Sequence, residues 1–241
     1  MIILMKGLNE EHYVNRCISD FHDEPFVDRI IIIDGKSTDL TVHELKKFPK
    51  VEVYVHEWLA DYHDNEISQS NICLSYIPKN AVAFILDFDE RMSPELKLKL
   101  NEINENQDDI PEAAVIHFSR RTFDLVRYEN SPHAMIDEDG WPIVSHQTGQ
   151  YPDYQARLIR KSAYMHWINS PHHVLSGANH SSNIDADIIH YEKEDLRHRL
   201  RIEKGWARCQ ARRKELGLPA DVFETGRKLE IAEFYDPEVW K

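Results

Sequence analysis

Apolar positions in the first hundred residues follow two different periods in turn. Ile2-Ile-Leu-Met5 is an unbroken apolar run that stops near Gly7, which predicts a buried strand. From Glu10 to about Phe21, the residues Val14, Cys17, Ile18 and Phe21 recur at helical spacing and share one face. Ile30 to Ile33 is a β-branched strand halted by Asp34-Gly35, and Thr38 or Asp39 can cap a helix through Val42 and Leu45 to Lys47. Val51, Val53 and Val55 alternate with polar neighbours as a half-exposed third strand. Ile67 to Tyr76 reads as helix and Val82 to Leu86 as a fourth strand. Ser93 then caps another helix, with Pro94 at its first position. Strand and helix in strict alternation predict an α/β fold, a mostly parallel sheet flanked by helices.

The rhythm changes after about residue 112. Ala113 to Phe118 and Arg157 to Ile159 predict strands. Tyr128 to Tyr151, broken by Pro132, Asp137-Glu-Asp-Gly140 and Pro142, reads as a loop or lid. Lys193 to Leu216 predicts a long helix, with Leu196, Leu200 and Trp206 inward and Gly217 and Pro219 as stop signals. The expected organisation is a main domain over 1–192, in halves 1–111 and 112–192, followed by a C-terminal helical extension over 193–241.

Charge and cysteine content narrow the partners. The net charge of −13 opposes nucleic acid, whose binding relies on Lys and Arg displacing counterions. Cys17, Cys73 and Cys209 are odd in number and widely spaced, fitting neither a zinc site nor a disulfide framework. Reduced thiols, no apolar run long enough to span a bilayer and no leader pattern lead to the expectation of a cytoplasmic protein.

The candidate chemistry begins where Val82 to Leu86 runs into Asp87-Phe-Asp89. A buried strand delivers both acids to its carboxyl end, where open α/β sheets bind ligands. Asp-x-Asp is an oxygen set suited to Mg²⁺ or Mn²⁺ shared with substrate phosphates. The same residues also compose a plain acidic loop before a capped helix. The second strand leads into Asp34-Gly-Lys-Ser-Thr-Asp39, where Asp34 can accept hydrogen bonds from a base or ribose, or simply serve a strand-to-helix turn. Neither Gly-x-Gly-x-x-Gly nor Gly-Lys-Ser occurs, so dinucleotide and P-loop readings lose their support.

Asn9-Glu-Glu11, Asp34-Gly-Lys-Ser-Thr-Asp39 and Asp87-Phe-Asp-Glu90 with Ser93-Pro-Glu-Leu96, in this order, resemble the family-two nucleotide-sugar glycosyltransferases of the GT-A fold. The likeness is greatest to the bacterial branch acting on lipopolysaccharide cores. The resemblance implies that Asn9, Glu11 and Asp34 line a nucleotide pocket, that Asp87 faces the ribose or sugar, and that Asp89 holds a Mn²⁺ or Mg²⁺ bridging the diphosphate. It implies a nucleoside-diphosphate sugar as donor and a glycan or other hydroxyl as acceptor. Asp153-Tyr-Gln-Ala-Arg-Leu-Ile-Arg160 resembles the segment carrying the family's catalytic base, with Pro152 in place of the first acid and Asp153 left as the candidate. Pro171-His-His-Val-Leu175 resembles a His-Glu motif, with His172 as a further metal ligand and His173 where the Glu would stand. Ser70 replaces the basic residue that often precedes the matched Asn71, so the diphosphate contacts are expected to differ. A nucleotidyltransferase and a non-catalytic nucleotide-sugar binding module remain as alternatives.

Other residues carry less. Most of the fourteen histidines are expected to be structural or exposed, and His190 to be packed or hydrogen-bonded rather than catalytic. Trp58, Trp141 and Trp167 can stack on a sugar ring or pack in the core. Arg197, Arg199, Arg201, Lys204, Arg208 and Arg212 read as a solvated helix face.

Overall fold

A computed structural model describes residues 1–58, 62–129, 134–168 and 174–191, with positions 207, 211, 214, 215 and 217 beyond them; of 62–66 it describes the backbone alone. Among the described residues up to 191, ten strands and four α-helices follow one another in chain order. They are β1 (Ile2–Gly7), α1 (Glu11–Phe21), β2 (Arg29–Asp34), α2 (Thr41–Leu45), β3 (Val51–Val55), α3 (Tyr62–Ser75), β4 (Val82–Ile85) and β5 (Glu90–Met92). Then come α4 (Pro94–Glu105), β6 (Ala114–Leu125), β7 (Val144–Arg160), β8 (His166–Ile168), β9 (Val174–Ser176) and β10 (His180–Tyr191).

Eight strands form one sheet in the order β3-β2-β1-β4-β7-β6-β10-β5. The first four are parallel, as the alternating sequence predicts. β7 runs antiparallel to both β4 and β6, β10 parallel to β6, and β5 antiparallel to β10. This is the GT-A, Rossmann-like arrangement: a parallel half extended by a mixed half.

The strand period of two divides the interior cleanly. Ile3 and Met5 face one layer with Val14, Cys17, Ile18 and Phe21 of α1 and Leu96 and Leu100 of α4. Ile2 and Leu4, one residue out of phase, face the opposite layer with Cys73 and Leu74 of α3 and Met165, Trp167 and Leu175 near the small β8–β9 pair. Both faces of the sheet are thus covered, which is why β1 and β2 read as continuous apolar runs rather than alternating ones. At the seam between halves, Phe84 and Phe118 meet edge to face at 5.5 Å. Ser93 caps α4 as expected, its hydroxyl accepting from the Leu96 amide at 3.1 Å.

The segment from Tyr128 to Tyr151 departs in part from the expected loop or lid. Its last part is strand: β7 begins at Val144 and pairs with β6 through Thr122 and Thr148, Phe123 and Gln147, and Leu125 and Val144. Most residues of this stretch of β7 are exposed on both faces, so no apolar alternation marks it in the sequence. The part before it is tied down as well. Trp141 is buried, stacks on Tyr191 at 5.3 Å and lies under the guanidinium groups of Arg16 and Arg91. Trp141 is therefore a core residue of this region, as Trp167 is of its own.

Ala207, Ala211, Lys214 and Glu215 are helical; the rest of the expected C-terminal helix, its basic face and the tail after it lie outside the described residues. No helix among the described residues is long and apolar enough to cross a membrane.

If Trp141 anchors the connection between β6 and β7, Trp141→Ala should cost about 3–5 kcal/mol of folding stability, the usual range for a buried Trp. It should also open a tryptic cut after Arg127 that wild type resists. Urea unfolding and a timed digest read both, and a mutant as stable and as resistant as wild type would refute the anchor.

Candidate active site

Three loops meet at the carboxyl edge of the parallel strands. They follow β1, β2 and β4. Gly7 and Asp34 are paired in register, and Leu86 donates to the Leu4 carbonyl at 3.1 Å, so the three chains end level with one another. Two glycines allow the close packing. A Cβ at Gly7 would come within 2.7 Å of the Phe88 ring, and one at Gly35 within 2.8 Å of the Trp58 ring.

The first two loops are stitched together by the residues expected to line a nucleotide pocket. Asn9, in a left-handed conformation at φ 60°, accepts from the Thr38 amide at 2.9 Å and donates its own amide to the Ser37 hydroxyl at 2.8 Å. The Glu11 carboxylate accepts from the Leu40 amide at 2.8 Å. Asp34 is buried, with Oδ2 accepting from the Lys36 and Ser37 amides and Oδ1 from the Ser37 hydroxyl. These contacts make a rigid rim that sets the loop backbone, and they bring Asn9, Glu11 and Asp34 to one place.

The third loop carries a charge cluster. Asp87, partly exposed, accepts from Arg157 Nη1 at 3.1 Å, and its amide donates to Glu90 Oε2 at 3.0 Å. Glu90 has no exposed surface and takes Arg157 Nη2 at 2.5 Å, with Arg120 Nη1 at 3.8 Å. Burial pushes the Glu90 carboxyl above its ordinary range against the pull of Arg157. Burial also works against the charge on Arg157, yet Glu90 and Asp87 outweigh it and hold that guanidinium above its usual value. Glu90 is thus enclosed by the Arg157 guanidinium and the Asp87 amide. Asp89 is nearly buried, and its Oδ2 lies 3.3 Å from His190 Nε2; the other ring nitrogen contacts the Thr122 hydroxyl at 3.2 Å. His190 is thus hydrogen-bonded, as expected.

Asp153 lies on β7 opposite Arg120 of β6. Arg120 donates twice to its Oδ2, at 3.0 and 2.7 Å, and Gln155 donates to Oδ1 at 2.7 Å. Its side chain keeps 33% exposure. Arg157 and Arg160, the neighbours that spacing alone suggests as partners, point elsewhere: Arg157 to Asp87 and Glu90, Arg160 to backbone carbonyls at 107, 108 and 110. Arg120 stands directly opposite Asp153 across the ladder, whereas Arg157 and Arg160 lie four and seven residues further along the same strand.

On α3, Asn71 is bonded both ways to the Trp167 backbone. The adjacent Ser70 is buried and accepts from Lys6 Nζ at 3.1 Å, so a cation from β1 stands beside the position where a basic residue was expected. Burial, chiefly, pushes the Cys73 thiol up to about 12. His172, the further ligand implied by the resemblance, lies outside the described residues, as does His173. Arg120 and Lys6 had no local signal, each being defined by a partner on another element, and the motifs that contain Glu90 and Arg157 did not mark their pairing across two strands.

The buried pair generates a stability prediction. Arg157→Met should lower unfolding free energy by about 3–5 kcal/mol, because Glu90 is left charged and dry or must take up a proton. Adding Glu90→Leu should restore much of the loss. Urea denaturation of the single and double variants measures this, and an Arg157→Met protein within about 1 kcal/mol of wild type would show that the pair does not hold the loop.

Comparison with known proteins gives one family. Residues 3–179 match the family described as glycosyl transferase family 2. Among solved structures, S. aureus TarS 1–349 is 18% identical with a TM-score of 0.38, covering 57% of this chain and 39% of that one. The crystal structure of S. aureus TarS 1–349 in complex with UDP is 13% identical with a TM-score of 0.48, covering 87% of this chain and 64% of that one. The chain thus spans less than two thirds of those proteins, and the assignment rests on the match over residues 3–179. With most of its length matched and its acids gathered at the carboxyl edge of the sheet, this chain belongs to the family 2 glycosyl transferases.

Proposed function

We propose that this chain moves a sugar from a nucleoside-diphosphate sugar to a hydroxyl of a glycan or other acceptor, by one in-line displacement with inversion. On its ordered motifs we assign it to the branch acting on bacterial lipopolysaccharide cores. The observation that carries the reading is the convergence of Asp34, Asp87 and Asp89 where β2 and β4 end, in a chain of this family. Ligands of open α/β sheets bind at that edge.

The roles divide between the two halves of the sheet. Asn9, Glu11 and Asp34 form the rim that receives base and ribose, and Asp87, steadied by Arg157, faces the ribose or sugar. Asp153, held by Arg120 and Gln155 with a third of its surface exposed, takes the proton from the attacking hydroxyl. Asp89 is the candidate ligand for Mn²⁺ or Mg²⁺, with His172 as a second from the motif. Among the described residues no three His, Cys, Asp or Glu side chains gather to enclose an ion. That fits a hard cation held by one or two carboxylates and completed by substrate phosphates, though Asp89 would have to share its contact with His190. When bound, such an ion supplies charge neutralisation at the departing diphosphate.

The direct test is product analysis. With Mn²⁺ and a panel of nucleotide sugars, release of free nucleoside diphosphate is expected; pyrophosphate would point to nucleotidyl transfer, and no turnover with any donor to a binding module. Asp89→Ala should abolish the Mn²⁺-dependent part of donor binding in calorimetry, and undiminished affinity would move the metal elsewhere. Asp153→Asn keeps size and hydrogen bonding but cannot take a proton. Its transfer rate should fall by roughly two to four orders of magnitude at near wild-type donor affinity. Transfer above a tenth of the wild-type rate would exclude Asp153 as the base.

A further inference from the structure

The mixed half of the sheet has a face that the candidate active site does not use. Arg120 of β6 meets Asp153, so its neighbours Ser119 and Arg121 lie on the opposite face. Two tyrosines of β7 cross β6 on that face and reach aspartates of β10, the strand beyond it. The Tyr154 hydroxyl donates to Asp185, and the Tyr151 hydroxyl donates to Asp187 Oδ1 at 3.2 Å. Ser119, which has no exposed surface, donates to the same Asp187 carboxylate at 2.6 Å. Arg121 binds Asp187 as well, donates to the Tyr151 hydroxyl at 3.2 Å, and places its guanidinium 4.4 Å from the centroid of that ring.

The two rings owe their common face to irregular pairing. Residues three apart on a regular strand point to opposite sides. Here residues 149–152 of β7 stand opposite Arg121 alone, between the pairs Arg120–Asp153 and Thr122–Thr148. Gly149, at φ 74°, supplies the left-handed residue that suits such a bulge. β10 slips at the same level, between Ile184 and Ile188. Tyr151 thus comes beside Tyr154, at most about 10 Å from it along the strand. Neither ring is in the core: Tyr151 is 42% exposed and Tyr154 half-buried. Their hydroxyls are nonetheless fixed, which removes the rotamer freedom of a surface side chain. Rings ordered in advance and open to solvent form a binding platform, because association then costs little side-chain entropy.

We propose that this face is a second ligand site, a platform for a neutral glycan. Tyr151 and Tyr154 stack on the apolar faces of neighbouring sugar rings, and Asp185, Asp187 and Arg121 exchange hydrogen bonds with the hydroxyls around them. Charge decides which glycan. These groups set two carboxylates against one guanidinium, in a chain of net charge −13, so an acidic polysaccharide is repelled. The platform lies across the sheet from Asp153, so it holds a glycan away from the point of transfer. It needs no nucleotide and is independent of the donor reading.

The test uses the full chain without nucleotide or metal. Maltohexaose, cellohexaose, laminarihexaose, mannohexaose and N-acetylchitohexaose are titrated by calorimetry, with hexagalacturonic acid as the acidic comparison. At least one neutral glycan should bind, and more tightly than the acid. For that glycan, the double variant Tyr151→Ala with Tyr154→Ala should bind roughly tenfold or more weakly, the worth of two aromatic contacts. Tyr151→Phe with Tyr154→Phe keeps both rings and should stay within about threefold of wild type. Circular dichroism and melting temperature check that the variants fold. Should the Ala pair not fold, Asp185→Ala decides in its place, because it releases the Tyr154 ring and should weaken binding by about threefold. No binding of any neutral glycan, tighter binding of hexagalacturonic acid, or unchanged affinity in the deciding variant would each overturn the platform. A Phe pair as weak as the Ala pair would overturn it too, since the rings would then not be what is recognised. None of these results bears on release of nucleoside diphosphate, so the transfer reading stands or falls separately.

Discussion

Buried opposite charges tie the loop after β4 to the mixed half of this sheet. Glu90 and Arg157 meet at 2.5 Å with almost no exposure, the acid at the start of β5 and the guanidinium on β7. The loop after β4 must turn where the parallel strands end, with Leu86 and Phe88 buried in the core. Its polar side is set by Glu90 accepting the Asp87 amide and by Arg157 gripping both acids. Isolated charges at such a site would cost several kcal/mol each, so the pair persists only as a satisfied cluster. Asp87 and, through Arg120, Asp153 are positioned by that cluster.

One consequence is a continuous chain of contacts from the loop after β4 to the mixed half of the sheet. Arg157 ties Asp87 to Glu90, Glu90 lies within reach of Arg120, and Arg120 holds Asp153. The mixed half of the sheet thereby brings its own acid to the edge prepared by the parallel half. The cross-strand pairing of β6 with β7 does the positioning, since Arg120 and Asp153 are opposite residues in the ladder. Rigidity comes from strands rather than loops, which suits chemistry that depends on fixed distances.

The expectation of a loop or lid over Tyr128 to Tyr151 failed from Val144 onward for an identifiable reason. Pro, Gly and acidic residues are reliable breakers in a strand covered on one face, but β7 extends beyond the core with both faces largely exposed. A strand in that position needs only backbone pairing, and β6 supplies it. The aromatic anchor at Trp141 is invisible locally as well, because Tyr191, Arg16 and Arg91 come from three separate parts of the chain.

By itself the sequence determined the parallel half and the identity of its acids. Apolar runs such as Ile30 to Ile33 and Val82 to Leu86 commit their residues to buried strands, and the polar residues after them can then lie only at the carboxyl edge. Ser93 and Pro94 likewise mark the start of α4 through short-range hydrogen bonding. Tertiary structure alone decided how those acids are partnered. Asp153 pairs with Arg120 rather than with the arginines nearby in sequence, Asp89 meets His190 from a strand a hundred residues later, and Lys6 reaches the α3 serine. Apolar burial is dictated by local pattern, whereas the partner of a charge depends on which strands the fold sets side by side, and that is known only once the sheet has closed.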